Sequence, residues 1–286
     1  MTGNQNGRAR GTSSAPQRIA AERAARRRAA ARRRLLLLPI GAVTAVLAIV
    51  VALVAVKLAS PPARVTASES AASVTLAKQV TSVPSAVLTQ VSPGQVATPL
   101  RRAGTSGPPL TIGGKPAIVF VSEESCPFCA AERWAVTVAL SHFGTWSQLG
   151  VTRSSATDID PDTATLSFRT ARYRSTELAL RTTELTDNAG HPLQAQSALD
   201  TRLIDTYDVP PYVDSADQSG AVPFLDIANR YILAGAQYDP QVLAGLSAAQ
   251  IAGQLRDPAS PVAQAVDGSA RVIIAAIDQV LSSRAR

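Results

Sequence analysis

Cys126 and Cys129 are the only two cysteines of the chain and form a single Cys-Pro-Phe-Cys motif. Because two residues separate them, one helical turn brings both sulfurs into bonding range, and Pro127 suits the first position of a helix. Cys126 then lies at the helix N-terminus, where unpaired N–H groups and the helix dipole favour a thiolate. Cys129, one turn further on, is expected to be more buried. The motif therefore predicts thiol–disulfide exchange, in which Cys126 attacks or is attacked and Cys129 resolves the mixed disulfide.

The same two cysteines are also compatible with a structural disulfide that only braces the start of the helix. Two cysteines exclude a disulfide-dense scaffold. A zinc site would need two more ligands, and His142 and His191 lack the close spacing of such sites. We therefore expect no metal and no small cofactor, and the choice between exchange and a structural bond stays open at this stage.

The residues around the motif predict a strand before it and a helix after it. Residues 117–121 are a continuous apolar run, typical of a central strand that is covered on both faces. The helix is expected to continue to about Ser141 and to turn one face toward the sheet. The residues of that face are Cys129, Val136, Leu140 and Phe143.

Further elements are predicted toward the C-terminus. Pro210-Pro211 is expected to end a helix over 200–207. Ser247 and Gln250 form a capping-box pattern at the start of another helix, and Pro261 opens the last one. The predicted strands lie at 151–156, 165–168 and 176–180, with a hairpin formed by 222–227 and 231–233.

Several segments resemble known families. Residues 114–121 (GKPAIVFV) and 124–134 (ESCPFCAAERW) resemble the opening of thioredoxin-like, DsbA-related domains. More narrowly, 222–231 (VPFLDIANRY), with YDP and LAGLS further on, is similar to the DUF929 family of membrane-anchored proteins of unknown function. The resemblance covers roughly residues 110–280 and implies an α/β, thioredoxin-like fold in an extracytoplasmic position. The interval from Cys126 to Pro223 is longer than in a minimal thioredoxin, which implies a partly helical insertion.

The resemblance also assigns roles around the hairpin. Thioredoxin-like domains place a cis-proline beside the cysteine pair, and Pro223 occupies that position here. Val222 would then offer its backbone to a bound substrate chain. The alternative is an ordinary trans-proline at a strand edge. Phe128, between the cysteines, is expected to be exposed and to influence partner choice, whereas Trp134 is expected in the core.

One position departs from the thioredoxin-like pattern. Many such enzymes have a buried acid six residues before the first cysteine, where this chain has Phe120. Glu123 and Glu124 are nearby in sequence, but a negative charge close to Cys126 would disfavour its thiolate.

The N-terminal segments predict a membrane anchor. Residues 1–34 contain ten Arg and one acid, whereas the rest of the +7 chain is close to neutral. Residues 35–56 are apolar over a length of about 33 Å, enough to span a bilayer. Because the Arg residues precede this span, the N-terminus is expected in the cytoplasm. The predicted organisation is a basic tail (1–34), a transmembrane helix (35–57), a linker (58–109) and a thioredoxin-like domain (110–286).

The linker is rich in Pro, Ser and Ala, although Val87, Leu88 and Val91 are also compatible with a short element that docks on the domain. Taken together, the sequence predicts a single-pass membrane protein whose outward-facing domain exchanges disulfides. Its expected partners are protein thiols and disulfides, together with a redox partner protein, and not nucleic acid. The alternative is a thioredoxin-like binding module with a structural Cys126–Cys129 bond.

Overall fold

Helices and strands are mixed along the chain in the structure, a computed structural model that describes residues 70–92, 96, 98–104, 107–215 and 219–284. The described part is therefore a mixed α/β protein, as expected. In chain order, the strands are β1 (Ser70–Ala71), β2 (Arg101–Arg102), β3 (Thr111–Ile112), β4 (Lys115–Ser122), β5 (Thr145–Ser147), β6 (Gly150–Arg153), β7 (Ala164–Ser167), β8 (Arg172–Arg174), β9 (Ala179–Glu184), β10 (Phe224–Ile227) and β11 (Tyr231–Ala234). The helices are α1 (Val74–Thr81), α2 (Ser85–Gln90), α3 (Pro127–Ser141), α4 (Ala198–Tyr207), α5 (Ala248–Gln254) and α6 (Pro261–Arg284), with a 3₁₀ helix at Pro240–Leu243.

Strand β4 is the centre of the largest sheet. It pairs in parallel with β9 on one side and antiparallel with β10 on the other. Strand β11 follows β10 as a hairpin, and β2 pairs with β11 at the edge. Parallel strands require a crossover connection, which here includes α3. The cysteine motif therefore lies where the chain leaves the central strand.

The two faces of β4 pack against different cores. Ile118 and Phe120 face the larger core, which contains residues of α3 and α6. Val119 and Val121 face a smaller core that contains Leu203 of α4. Because both faces are covered, every residue of β4 after Lys115 is buried, which confirms the prediction from the apolar run.

The interval from Cys126 to Pro223, where a partly helical insertion was expected, contains both strands and a helix beyond α3. The residues between α3 and β9 form β5, β6, β7 and β8, and α4 is the one regular helix among the described residues between β9 and β10. Strand β7 packs against α3, where the indole N–H of Trp134 donates to the carbonyl of Ala164 at 3.0 Å. Burial of the β7 side chains favours an extended conformation in this part of the insertion.

The helix predictions are largely confirmed. Helix α3 ends at Ser141, and the capping box of Ser247 and Gln250 opens α5. Helix α3 differs from the expectation in one respect, since it is buried on all sides from Pro127 to Leu140 except at Phe128. It lies between the sheet, α6 and β7, so its burial extends beyond the one apolar face that was predicted.

Residues 70–92 pack on the domain, although they belong to the segment for which a linker was expected. Leu76 and Val80 of α1 and Leu88 of α2 are buried in the larger core. Residues 1–57, with the basic tail and the predicted transmembrane helix, lie outside the described residues. Within the part that the structure describes, no helix has the length and hydropathy needed to span a membrane.

Candidate functional site

Cys126 occupies the N-cap position of α3, directly after the turn that follows β4. Its backbone is extended (φ −81°, ψ 124°), and its sulfur accepts a hydrogen bond from the backbone N–H of Cys129 at 3.3 Å. Pro127 takes the first helical position, where the absence of an N–H costs little. The Cys126 side chain is half-buried. Its sulfur thus combines access from solvent with the electrostatic field of a helix N-terminus.

Cys129 is fully buried one turn further into α3, and both cysteines are thiols in the structure. Burial raises the pKa of the Cys129 thiol well above its usual value, and its hydrogen bond to Cys126 acts in the same direction. That hydrogen bond from the Cys129 side chain lowers the pKa of Cys126, in opposition to the effect of burial. The two thiols therefore differ in the way that an attacking and a resolving thiol require.

The start of β10 brings Val222 to the cysteine motif. The Val222–Pro223 peptide bond is cis, as the resemblance implied. The carbonyl oxygen of Val222 lies 3.7 Å from the Cys126 sulfur. The Pro223 carbonyl accepts from the N–H of Gly235 at 2.8 Å, which fixes this loop to the end of β11. A second cis bond, Pro210–Pro211, falls where the sequence predicted only the end of a helix.

Phe128 and Val222 line one cleft of about 270 Å³ next to the thiols. Phe128 is 37% exposed, in a helix whose other described residues near the motif are buried. Arg101 and Asp214 form an ion pair at the same cleft. The remaining lining residues are Thr98, Tyr212, Val213, Ala221, Ala234, Gly235 and Ala236. The structure thus brings together the five predicted site residues: Phe128 and Val222 line the cleft, Cys129 and Val222 contact the Cys126 sulfur, and Pro223 follows Val222.

Two charged residues that the sequence analysis did not assign lie buried behind the motif. Arg133 and Glu184 are both fully buried, and the Arg133 Nε and Nη2 atoms donate to the two Glu184 carboxylate oxygens at 2.9 and 2.6 Å. The Ser122 hydroxyl donates to the same carboxylate at 2.9 Å. Burial acts to lower the pKa of Arg133, but the charge and the hydrogen bonds of Glu184, with further nearby acidic groups, outweigh it and raise this pKa, so the side chain remains a cation. An Arg within the apolar run of α3 is the signal that could have identified it.

Glu123 and Glu124, the two acids just before the motif, have different surroundings. Glu124 is buried, accepts a hydrogen bond from Ser167 at 2.6 Å, and interacts electrostatically with Arg133. Its negative charge is therefore offset. Glu123 is half-buried and contributes its backbone N–H, which lies 3.4 Å from the Cys129 sulfur. Phe120 packs edge-on against Phe168 in the core, so the position six residues before Cys126 holds a buried aromatic ring.

A second group of buried acids lies where α3 contacts α6. Glu132 is fully buried and accepts a hydrogen bond from the backbone N–H of Gln237 at 2.9 Å. Burial raises the pKa of Glu132 to about 8. Asp267 on α6 is buried as well, and burial raises its pKa to about 8. Both carboxyl groups are therefore largely protonated at neutral pH, which the sequence pattern did not indicate.

The surroundings of the two histidines do not resemble those of zinc ligands. His142 is the C-cap of α3, and the exposed ring of His191 pairs with Asp187 in a turn. Among the residues that the structure describes, no group of three or more His, Cys, Asp or Glu side chains is arranged to hold a metal ion.

The fold and the site together define a mixed α/β domain with a dithiol at a helix N-terminus beside a cis-proline. The model of the family described as a domain of unknown function, DUF929, matches residues 103–279. The chain belongs to this DUF929 family, as the segments around Pro223 predicted. Comparisons with curated proteins and with solved structures gave no match.

Proposed function

We propose that this protein is a thiol–disulfide oxidoreductase of thioredoxin-like fold, held at the outer side of the cell membrane by its N-terminal segment. The observation that carries the proposal is the position of the Cys126 sulfur. It is half-buried at the start of α3, and lies 3.7 Å from the carbonyl of Val222. The resolving partner, Cys129, is buried one turn away.

The topology supports the thioredoxin-like part of the proposal. The dithiol follows the central strand β4, and the cis-proline precedes β10, the antiparallel neighbour of β4. Helices α3 and α6 cover one face of the sheet, and α4 covers the other. This arrangement, with a dithiol next to the backbone of Val222, supports disulfide exchange with a bound substrate chain.

The chemistry needs only the two sulfurs and the substrate. The Cys126 thiolate attacks a substrate disulfide, forming a mixed disulfide and releasing one substrate thiolate. Cys129 then attacks the Cys126 sulfur, so that the second substrate sulfur leaves with the proton of Cys129. The substrate gains two electrons and the protein becomes oxidised at Cys126–Cys129. The reverse sequence oxidises a substrate dithiol, and in either direction another protein carries the electrons.

The cleft beside the thiols is suited to an extended polypeptide. Val222 offers backbone to a substrate strand, and Phe128 offers an exposed apolar ring. The volume of about 270 Å³ accommodates one large side chain next to a substrate cysteine. A protein substrate can therefore place one side chain in this cleft while its cysteine reacts with Cys126.

The membrane location rests on the sequence. The apolar stretch at 35–57 follows ten Arg, so the described domain would lie outside the cytoplasm. An oxidising compartment is also where disulfide chemistry takes place.

A glutathione titration of the full chain tests the proposal. We expect a reduction potential between about −120 and −270 mV for the Cys126–Cys129 pair, the range of exchange proteins. The Cys126→Ser variant should lose exchange while it keeps the circular dichroism of the parent. The Cys129→Ser variant, its matched control, should accumulate the mixed disulfide. A potential below about −300 mV would identify a structural bond and favour the binding module instead.

A further inference from the structure

The Arg133–Glu184 ion pair lies directly behind the two thiols. Arg133 follows Cys129 by four residues on α3, so both side chains leave the helix on the same face. Glu184 is the last residue of β9 and pairs with Ser122, the last residue of β4. The turn that carries the cysteine motif begins at that point. The ion pair is therefore built into the junction of β4, β9 and α3.

The hydrogen bonds of Arg133 are incomplete. Its Nε and Nη2 atoms bind Glu184, whereas the buried Nη1 atom has no hydrogen-bond partner among the described residues. Burying a cation with an unpaired N–H group costs free energy, and a negative charge that forms nearby reduces this cost. The thiolates formed during exchange are such charges.

The charged groups packed around the thiols come from several elements. Arg133 is the cation that acts on both cysteines. Glu184 from β9 and Glu124 from the β4–α3 turn both act on Arg133. Glu132 and Asp267 are buried at the contact of α3 and α6, where burial keeps both carboxyl groups protonated at neutral pH.

We propose that Arg133 is a positioning residue that stabilises the Cys126 and Cys129 thiolates, and that Glu184 limits the positive charge available to them. This inference rests on the proposed function. It assigns to a cation on α3 the control of thiol reactivity, in a chain that has Phe120 where a buried acid would otherwise act.

The role applies mainly to the resolving step. Cys129 loses its proton to the departing substrate sulfur as it attacks the Cys126 sulfur of the mixed disulfide. Negative charge then develops on a sulfur that is fully removed from water. A fixed cation one turn away lowers the cost of that charge, because an electrostatic interaction is stronger in a buried site.

Thiolate absorbance near 240 nm, recorded against pH on the full chain, tests the inference. In Glu184→Gln, Arg133 keeps its charge without its counter-ion, so the thiolate fraction of Cys126 below its pKa should rise about tenfold, the effect of one nearby charge. In Arg133→Met/Glu184→Gln, the cation is removed as well, and this fraction should fall below that of the parent. The two proteins differ only at position 133.

Two further variants make the test decisive. Glu124→Gln should raise the thiolate fraction in the same direction as Glu184→Gln, and it serves if the latter does not fold. Asp200→Asn removes the counter-ion of Arg181. Asp200 lies on α4 and forms a similar two-point ion pair with Arg181 of β9, whose side chain leaves β9 on the face opposite to Glu184 because the two positions are three residues apart. This matched control should leave the thiolate titration unchanged.

Shifts of the same sign in the two Glu184 variants, or no shift in either, would overturn the inference. The titration does not depend on exchange with a substrate. A protein with shifted thiolates but without exchange would therefore contradict the proposed function and leave the electrostatic role intact. A protein that exchanges disulfides but whose variants show no thiolate shift would support the proposed function and contradict the electrostatic role.

Discussion

The sulfur of Cys126 lies 3.7 Å from the carbonyl oxygen of Val222, a residue 96 positions later in the chain. Cys126 follows the central strand β4, and Val222 lies just before β10. Because these strands are hydrogen-bonded neighbours, their ends meet at one edge of the sheet. The half-buried thiol of Cys126 is thus held beside the irregular stretch of backbone that precedes β10.

The two thiols are predicted to differ in reactivity. With iodoacetamide at neutral pH, the reduced protein should be alkylated at Cys126 at least about tenfold faster than at Cys129, since the first has a lowered and the second a raised pKa. Peptide mass spectrometry of a time course measures both rates. Equal rates would show that the burial of Cys129 does not protect it.

Phe128 is predicted to act on protein substrates and not on the thiols themselves. Phe128→Ala should raise the KM for a disulfide-bonded protein substrate several-fold, because an exposed ring is lost from the cleft. Exchange with a small aromatic disulfide should change less than twofold. Ile159→Ala is the matched control, since Ile159 is 73% exposed and does not line the cleft. An equal KM increase in both variants would contradict a role for the ring in substrate binding.

The raised pKa of Glu132 predicts that the protein loses stability as the pH rises from about 4.5 to about 8. Its pKa is raised from 4.5 to about 8 in the folded protein, so the folded state binds one more proton than the unfolded state between these values. The free energy of unfolding therefore falls as pH rises through this interval. Glu132→Gln should flatten that fall.

Urea unfolding at pH 5, 6.5 and 8 measures the effect. The exposed Glu177→Gln is the control and should reproduce the pH dependence of the parent. Other buried acids, such as Asp267, also lose their protons in this range, so the variant should reduce the slope and not abolish it. An unchanged slope in Glu132→Gln would mean that Glu132 is ionised in the folded protein.

Substitution of Gly268 tests the contact between residues 70–92 and α6. A Cβ atom at Gly268 would lie 2.9 Å from the carbonyl oxygen of Ser92, so Gly268→Ala should lower the free energy of unfolding by about 1–3 kcal/mol. Gly253, exposed in α5, has no atom within 4 Å of such a Cβ. Gly253→Ala should therefore raise the free energy of unfolding by about 0.5–1 kcal/mol. Stabilisation by both variants would show that Ser92 does not lie against α6 in solution.

The sequence by itself determined the elements with strong local signals. The apolar run of β4, the Cys-Pro start of α3 and the capping box of α5 each depend on residues within a few positions of one another. The membership of the DUF929 family was likewise visible in short segments such as that around Pro223. Local propensity and side-chain pattern suffice for such features.

Only the tertiary structure decided what these elements bring together. The contact of Cys126 with Val222 and the ion pair of Arg133 with Glu184 join residues that are 96 and 51 positions apart. Local pattern predicted strands close to β6 and β7, but it did not predict that β7 packs against α3. Burial and charge pairing are set by neighbours distant in sequence, and they decide which charged residues act on the thiols.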